Sequence, residues 1–302
     1  MKNNIYKEKK PFISVIIPVY NTPEIKVTLK SIINQDYPKK RYEILSVDNN
    51  STDKTFRIIK KFQKKYPKLV KALSEKEIQS SYAARNKGIK NAKGEILVFI
   101  DADMWVEEDW LSNIANEFKK HNKLYLGYDV EVICENKNLI SSYRKHNGFN
   151  IKKFIEEGKY TGAGCLAVSR EIFEEVGIFD ESLISGGDHE FGNRVHNAGF
   201  KLKYTEATKA YHPARDSLIS LLKQSFRIGR GACQEFKEYP ERFSFRDRFI
   251  LSPRYFLPDP PHILKNYMDH EGGIIKLFFP VIKWLTKIVK HIGYVYEKNR
   301  DV

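Results

Sequence analysis

Gly94-Glu95-Ile96-Leu97-Val98-Phe99-Ile100-Asp101-Ala102-Asp103 is the stretch on which the reading of this chain turns. From Glu95 to Ile100 it is apolar and rich in β-branched and aromatic side chains, the composition of a strand buried on both faces. It then stops at two carboxylates spaced two apart. A buried strand with a polar end suits an open α/β sheet, in which ligands bind outside the carboxyl ends of the strands. While the chain stays extended, its period of two aims Asp101 and Asp103 the same way.

Working back from this strand, Ile13 to Pro18 (ISVIIP) and Tyr42 to Val47 (YEILSV) read as two more buried strands, and Leu69 to Leu73 as a weaker one. Helical patterns lie between them. Pro23 to Gln35 carries Ile25, Val27, Leu29, Ile32 and Ile33. Ser51 to Tyr66 opens with Ser-Thr-Asp capping chemistry, and Tyr82 to Ala92 is the third helix. Strand and helix alternating at this spacing predict parallel βαβ units in a doubly wound sheet. Three strands end in polar residues: Val19-Tyr20-Asn21, Asp48-Asn49-Asn50 and Asp101-Ala102-Asp103. That coincidence marks a site better than any single motif.

Beyond Trp105 the pattern changes. Glu107 to His121 and Glu190 to Ala198 read as helices, and Leu124 to Cys134 and Phe200 to Tyr211 as extended. Gly158 to Arg170 and Ile184 to Phe191 read as glycine-rich turns, in which Gly162 and Gly164 let backbone approach a ligand closely. From Asp216 the chain is expected to be mostly helical, broken at Leu257 to Pro261. Arg227 and Arg230 share a helical face there, suited to clamping phosphate oxygens.

In all, 302 residues at 41% hydrophobic suffice for one sizeable core. Lys and Arg outnumber Asp and Glu by 52 to 38, a net charge of +14. This favours polyanionic partners such as phosphorylated small molecules or anionic lipid, or reflects no more than a Lys-rich soluble protein. Cys134, Cys165 and Cys233 are scattered and odd in number, which argues against a disulfide framework and fits a reducing compartment. Met1 to Lys10 is polar and basic with no apolar run behind it, and no stretch of ~18 apolar residues appears. A cytoplasmic protein is expected, with attachment to an anionic membrane surface left open. Ile274 to Tyr296 bears on that question. Lys276, Lys283, Lys287 and Lys290 share a helical face, and Phe278, Phe279, Ile282, Trp284, Leu285, Ile288 and Val289 cover much of the rest. It is either an in-plane membrane anchor or a helix covering the main domain, and Pro280 either kinks it or opens it.

Paired carboxylates at a strand end offer hard oxygen ligands to Mg²⁺ or Mn²⁺, with water and two phosphate oxygens completing an octahedron. A solvated turn is the plain alternative. Position after a buried strand favours the ion.

With these motifs in order, residues 13 to 215 resemble the inverting family-2 glycosyltransferases of the GT-A fold. The likeness rests on PVYN (Pro18 to Asn21), VDNNSTD (Val47 to Asp53), AARNKGI (Ala83 to Ile89), GEILVFIDAD and GGDHEF (Gly186 to Phe191). It implies a nucleotide-sugar-binding half over about 11–103, an acceptor half over 104–215, and a helical extension over 216–302. The implied donor is a nucleotide-diphosphate sugar, with UDP or GDP the nucleotide. The acceptor is a glycan or lipid-linked hydroxyl, and the cofactor a divalent cation. Pro18, Val19, Tyr20, Asn21 and Ala102 would line the nucleotide pocket, and Asp48 would accept a base N–H. Arg85 would lie over the base or against the diphosphate, with Asn86 nearby. Asp101 would touch the ribose or a metal-bound water, while Asp103 and His212 would hold the cation. Asp188 matches the general base, with Glu190 its rival or an acceptor ligand. Gly162, Gly164 and Gly187 would border the donor-sugar or acceptor pocket. Arg227 and Arg230 would contact phosphate. The chain reads Val-Asp-Asn where the family commonly has a second Asp, and Gly-Gly-Asp where many members have Gly-Glu-Asp.

Other classes fit less well. A nucleotidyltransferase acting on a sugar phosphate would want a Gly-rich, basic phosphate loop after the first strand, which Pro18 to Pro23 lacks. A noncatalytic nucleic-acid binder would interleave basic and aromatic residues on a sheet face, whereas these strands are apolar with acidic ends, so no nucleic-acid partner is expected. A dinucleotide-dependent dehydrogenase would need G-x-G-x-x-G after the first strand.

Overall fold

The computed structural model describes residues 10–121, 123–240 and 278–300. The expected break at 257–261 and Lys276 lie outside the described residues. Ile13–Val19 (β1), Tyr42–Asp48 (β2) and Ile96–Ile100 (β4) are buried at every residue, as their unbroken apolar runs require. Val70–Ser74 (β3) is mostly half-buried, which explains its weaker signal. β1 pairs in parallel with β2, from Ile13 opposite Tyr42 to Val19 opposite Asp48. β1 with β4, and β2 with β3, are parallel too. Ile25–Ile33 (α1), Thr55–Lys65 (α2) and Ser81–Asn91 (α3) make the crossovers. α1 buries Ile25, Leu29, Ile32 and Ile33, while Val27 is exposed. Asp53 Oδ1 accepts the Thr55 N–H at 2.8 Å at the start of α2, as the capping sequence predicts.

Next come Trp105–Val106 (β5), Trp110–Lys119 (α4), Leu124–Ile133 (β6), Leu139–His146 (α5) and Ile151–Glu156 (α6). Then follow Cys165–Ser169 (β7), Arg170–Val176 (α7), Gly187–Asn197 (α8), Lys201–Pro213 (β8), Leu218–Glu238 (α9) and Phe279–Lys298 (α10). Among the described residues the sheet has eight strands, in the order β3-β2-β1-β4-β7-β6-β8-β5. β7 runs antiparallel to both β4 and β6. The segment 158–170, expected to be a turn, therefore hides a strand whose five residues, CLAVS, are all buried. Short apolar runs beside glycines read as loops when periodicity is the only guide.

Contacts divide the chain into two compact units. The first comprises residues up to Val130, Asn150–Asp180 and Phe191–Tyr211. Its core holds the parallel strands and a cluster of Phe99, Phe173, Phe179 and Phe191, with Phe173 and Phe191 stacked at 4.8 Å. The second comprises Glu131–Phe149, Glu181–Glu190 and the chain from His212. Ile140, Tyr143, Leu221, Phe279 and Ile282 form its core. Pro280 sits in the first turn of α10, where its missing N–H costs nothing, so it opens the helix.

Candidate active site

In the first unit, the carboxyl ends of the parallel strands carry the polar residues the sequence placed there. The loops after β1 and β2 are tied together. Asn21 Oδ1 accepts the Thr52 N–H at 2.8 Å, and the Asn21 N–H donates to Ser51 Oγ at 2.9 Å. Asn21 (φ 45°) and Asn50 (φ 65°) take the left-handed turns that asparagine tolerates. Pro18 and Val19 are buried in β1, so only their backbone is suited to lining a pocket, while Tyr20 is 51% exposed.

Asp48 is 4% exposed at the end of β2. Its Oδ2 accepts the Ser51 N–H at 3.2 Å, whereas Oδ1 is buried without any partner. A buried acceptor left unpaired costs about 1–3 kcal/mol, which a ligand N–H would recover. The next residue departs from the family pattern for a physical reason. The Asn49 side-chain amide donates to the carbonyls of Glu75 at 3.2 Å and Ile78 at 2.8 Å, pinning the loop after β3. A carboxylate could donate to neither.

The chain does not stay extended through Asp101 and Asp103. It turns at Ala102 and Asp103, and the Met104 N–H donates to the Asp101 carbonyl at 3.2 Å. The expectation of two carboxylates aligned by strand geometry is therefore corrected. Thr28 Oγ1 donates to the buried Ala102 carbonyl at 2.7 Å and fixes the turn. Arg85, on α3, donates to Asp101 Oδ1 at 2.7 Å, and its guanidinium lies 5.7 Å from the Tyr82 ring. Its Nε is buried and unpaired. Asn86 was expected near the nucleotide, yet it is 1% exposed and clamps the Phe179 peptide. It donates to the carbonyl at 2.8 Å and accepts the N–H at 3.1 Å.

Gly164 has no side chain because Asp101 fills the space: a Cβ there would overlap the Asp101 carboxylate. The Gly162 carbonyl accepts the Cys165 N–H at 3.0 Å. Sequence reasoning missed Tyr128, whose hydroxyl lies 2.5 Å from the Phe99 carbonyl and 3.3 Å from that of Gly164. It braces β4 against the glycine loop. Burial pushes its hydroxyl well above the usual tyrosine range, with smaller contributions from Cys165 and Asp101, so it remains a donor. In sequence Tyr128 is one aromatic among several in a strand.

The second unit holds the Asp188 loop. Gly186 adopts φ 92°, and Gly187 begins α8, with Asp188 in the first turn. Asp188 Oδ1 lies 3.1 Å from the His189 N–H. Glu190 is 1% exposed, and its N–H donates to the Gly186 carbonyl at 2.9 Å. His212 Nδ1 lies 2.7 Å from the Pro213 carbonyl. Arg144, on α5, was not foreseen. Burial and then Arg215 hold its guanidinium below its ordinary value, and it lies 5.8 Å from the Phe149 ring. Arg230 departs from the expected phosphate contact: its Nε is committed to Glu297 Oε2 at 2.6 Å. Arg227 lies one turn earlier on α9.

Among the described residues, no three His, Cys, Asp or Glu side chains converge to hold a metal ion. A cation would therefore take most of its ligands from water and phosphate oxygens, as Mg²⁺ usually does. The donor chemistry fits. Asp101 is ion-paired with Arg85 at 2.7 Å, and carboxylates at a strand end are hard oxygen donors of the kind such a cation takes.

The parallel strands with polar carboxyl ends make an α/β sheet of the kind that binds ligands at that edge, and the likenesses to known proteins give its class. Residues 14–177 match the family described as Glycosyl transferase family 2. The chain is 35% identical over 292 residues to glycosyltransferase AglE of Haloferax volcanii, covering 94% of this chain and 95% of that protein. It is 32% identical over 232 residues to a Methanococcus voltae dolichyl N-acetyl-alpha-D-glucosaminyl phosphate 3-beta-D-2,3-diacetamido-2,3-dideoxy-beta-D-glucuronosyltransferase, covering 72% of each. In fold it is similar to the Pyrobaculum calidifontis mannosyltransferase solved with GDP-Man and Mn²⁺. That likeness has a TM-score of 0.67 at 19% identity, covering 97% of this chain and 88% of that one. Staphylococcus aureus TarS 1–349, solved with UDP-GlcNAc, gives 0.56 at 18%, covering 95% and 91%. The chain belongs to glycosyl transferase family 2. It is a glycosyltransferase with the GT-A fold.

Proposed function

We propose that the protein transfers a sugar from a UDP or GDP sugar to a glycan or lipid-linked hydroxyl, inverting the anomeric centre. The observation that carries the nucleotide reading is the buried, unpaired Oδ1 of Asp48. Uracil and guanine present a ring N–H to such an acceptor, and cytosine does not. Tyr20, half-exposed beside it, offers a ring face to the base. Structural neighbours solved with GDP-Man and Mn²⁺ and with UDP-GlcNAc agree with this class of donor, and the Methanococcus relative's name supports a lipid-linked acceptor.

Asp103 would hold Mg²⁺ or Mn²⁺, which when bound neutralises the diphosphate. Arg85 holds Asp101 in place toward the ribose. Asp188 takes the proton of the acceptor hydroxyl, and direct displacement needs that base opposite the leaving group. Gly164 leaves backbone open beside Asp101 for the sugar.

The test is calorimetric binding of UDP-, GDP-, CDP- and dTDP-sugars with and without Mn²⁺. Cation-strengthened binding of a UDP or GDP sugar is expected, lost in Asp48→Ala. Tight binding of a CDP sugar, or an unchanged affinity in Asp48→Ala, would overturn the base assignment. Asp188→Asn should keep donor affinity and lose transfer; full turnover in that variant would remove it from the mechanism.

A further inference from the structure

Several guanidinium groups in this chain are committed to partners. Arg85 and Arg230 pair with carboxylates, and Arg170 and Arg194 donate to backbone carbonyls. Arg144 and Arg215, both in the second unit, are not. Among the described residues neither guanidinium has a carboxylate partner or donates a hydrogen bond.

The backbone holds these two arginines near each other. Arg144 is in the last turn of α5, with its guanidinium 5.8 Å from the Phe149 ring. That ring lies 5.4 Å from the ring of His212, three residues before Arg215. The chain around Arg215 is tied back toward α5 on both sides. The Ala214 N–H donates to the Ile133 carbonyl at 2.7 Å. The side-chain amide of Asn138, which caps α5, donates to the Asp216 carbonyl at 2.9 Å. Asn136 donates to the Asp216 carboxylate at 2.9 Å, so the one acidic neighbour is already engaged.

Like charges so placed repel. Burial and then Arg215 hold the Arg144 guanidinium below its ordinary value, and no carboxylate is among the groups acting on it. Keeping two cations together without a counter-charge costs stability, and a structural duty does not account for it. Lys145, exposed in the same turn, already brings a cation to the carboxyl end of α5. A neutral side chain would cover Phe149 as well.

Charge then selects the ligand. A carboxylate brings one negative charge to the pair, whereas a phosphate ester or diphosphate brings about two, with oxygens spaced for bidentate guanidinium bonds. Both arginines are half-buried, open to such a group yet shielded enough to strengthen its bonds.

We infer that Arg144 and Arg215 form a binding site for a substrate phosphate, either the diphosphate of the donor or a phosphate ester on the acceptor. The two sources follow from the proposed transfer reaction; the arginine pair stands without it.

The experiment is calorimetric titration of the full chain with UDP and, separately, with octyl phosphate. Arg144→Gln and Arg215→Gln should each weaken binding of one of these ligands by about tenfold or more. Arg215→Gln should not lower the melting temperature, since it removes a repulsion and no bond. A loss confined to UDP assigns the site to the donor, and a loss confined to octyl phosphate assigns it to the acceptor; either supports the inference. Asp48→Ala keeps the base assignment separate, because it should weaken UDP and leave octyl phosphate as in the wild type. If neither arginine variant differs from the wild type toward either ligand, the inference falls, whatever Asp48→Ala shows. It falls too if Arg215→Gln loses binding only together with a drop in melting temperature, since that arginine would then be a structural support.

Discussion

Glu235 Oε1 lies 2.5 Å from Nδ1 of His189 and so joins the middle of the second unit to the residue after Asp188. The carboxylate is 7% exposed. Its other oxygen lies where a Cβ on Gly186 would meet it at 2.8 Å. One residue earlier on α9, Gln234 Oε1 accepts the Ile184 N–H at 2.8 Å. The loop carrying Asp188 is therefore fastened to α9 at both ends. Positioning of this kind acts on turnover rather than on donor affinity. Glu235→Ala should lower kcat by on the order of tenfold with donor Kd unchanged. Glu235→Gln, which keeps the shape and one hydrogen bond, should restore part of it. Equal kcat in all three proteins would show that the fastening does not reach the chemistry.

Arg85, Asp101 and Gly164 form one packed arrangement. Arg85 balances the carboxylate, and the missing Cβ of Gly164 makes room for it. Gly164→Ala should push Asp101 out of place while leaving its charge intact. The expected result is donor binding at least about tenfold weaker but still strengthened by Mn²⁺, because the cation carboxylate Asp103 is not the group displaced. A Gly164→Ala protein with wild-type donor affinity would show that Asp101 need not sit against that glycine.

Asn49→Asp would restore the residue the family commonly carries, and it should harm this protein. The substitution removes two donors from the carbonyls of Glu75 and Ile78 and sets a negative charge against them. The Ile78 carbonyl keeps the Ser80 N–H at 2.9 Å, so the loss is that of two part-buried hydrogen bonds, about 0.5–1.5 kcal/mol each. A fall of several degrees in Tm is expected, followed by thermal unfolding with and without UDP. An unchanged Tm would mean that the loop after β3 is held by other contacts, Gln79 to the Asn49 carbonyl among them.

The parallel half of the sheet was legible because burial on both faces forces unbroken apolar runs, as in ISVIIP and EILVFI, and the polar ends of those runs located the site. The antiparallel half was less so. β7 is five residues long and lies behind Gly162 and Gly164. α5 opens with a capping box of Asn138 and Ser141, whose Asn138 N–H donates to Ser141 Oγ at 3.0 Å, without the Glu or Gln that usually signals one. Side-chain duties decided by distant partners were hidden altogether. Nothing near Asn86 names Phe179, and nothing near His189 names Glu235. Asp101 and Asp103 were found as a pair, but the turn between them depends on Thr28, far away in sequence.

Glu117 gives the first unit an acid-sensitive stabilisation. It lies on α4 at 6% exposure and is ion-paired with Lys203 of β8 and, at 3.3 Å, with Lys120. Burial alone would raise its carboxyl, but the bonds from Lys203 and Lys120 outweigh it and hold the group below its ordinary value. The unfolded chain therefore binds the proton more readily than the folded one. The stabilisation is complete above the unfolded glutamate value of about 4.3 and is lost as pH falls through the lower folded value. Urea unfolding at a series of pH values should show wild-type stability dropping through this acid window. Lys203→Met should lower stability at neutral pH and flatten that drop, because the proton then binds folded and unfolded chains more nearly alike. A parallel pH profile in the two proteins would place the acid sensitivity in other carboxylates.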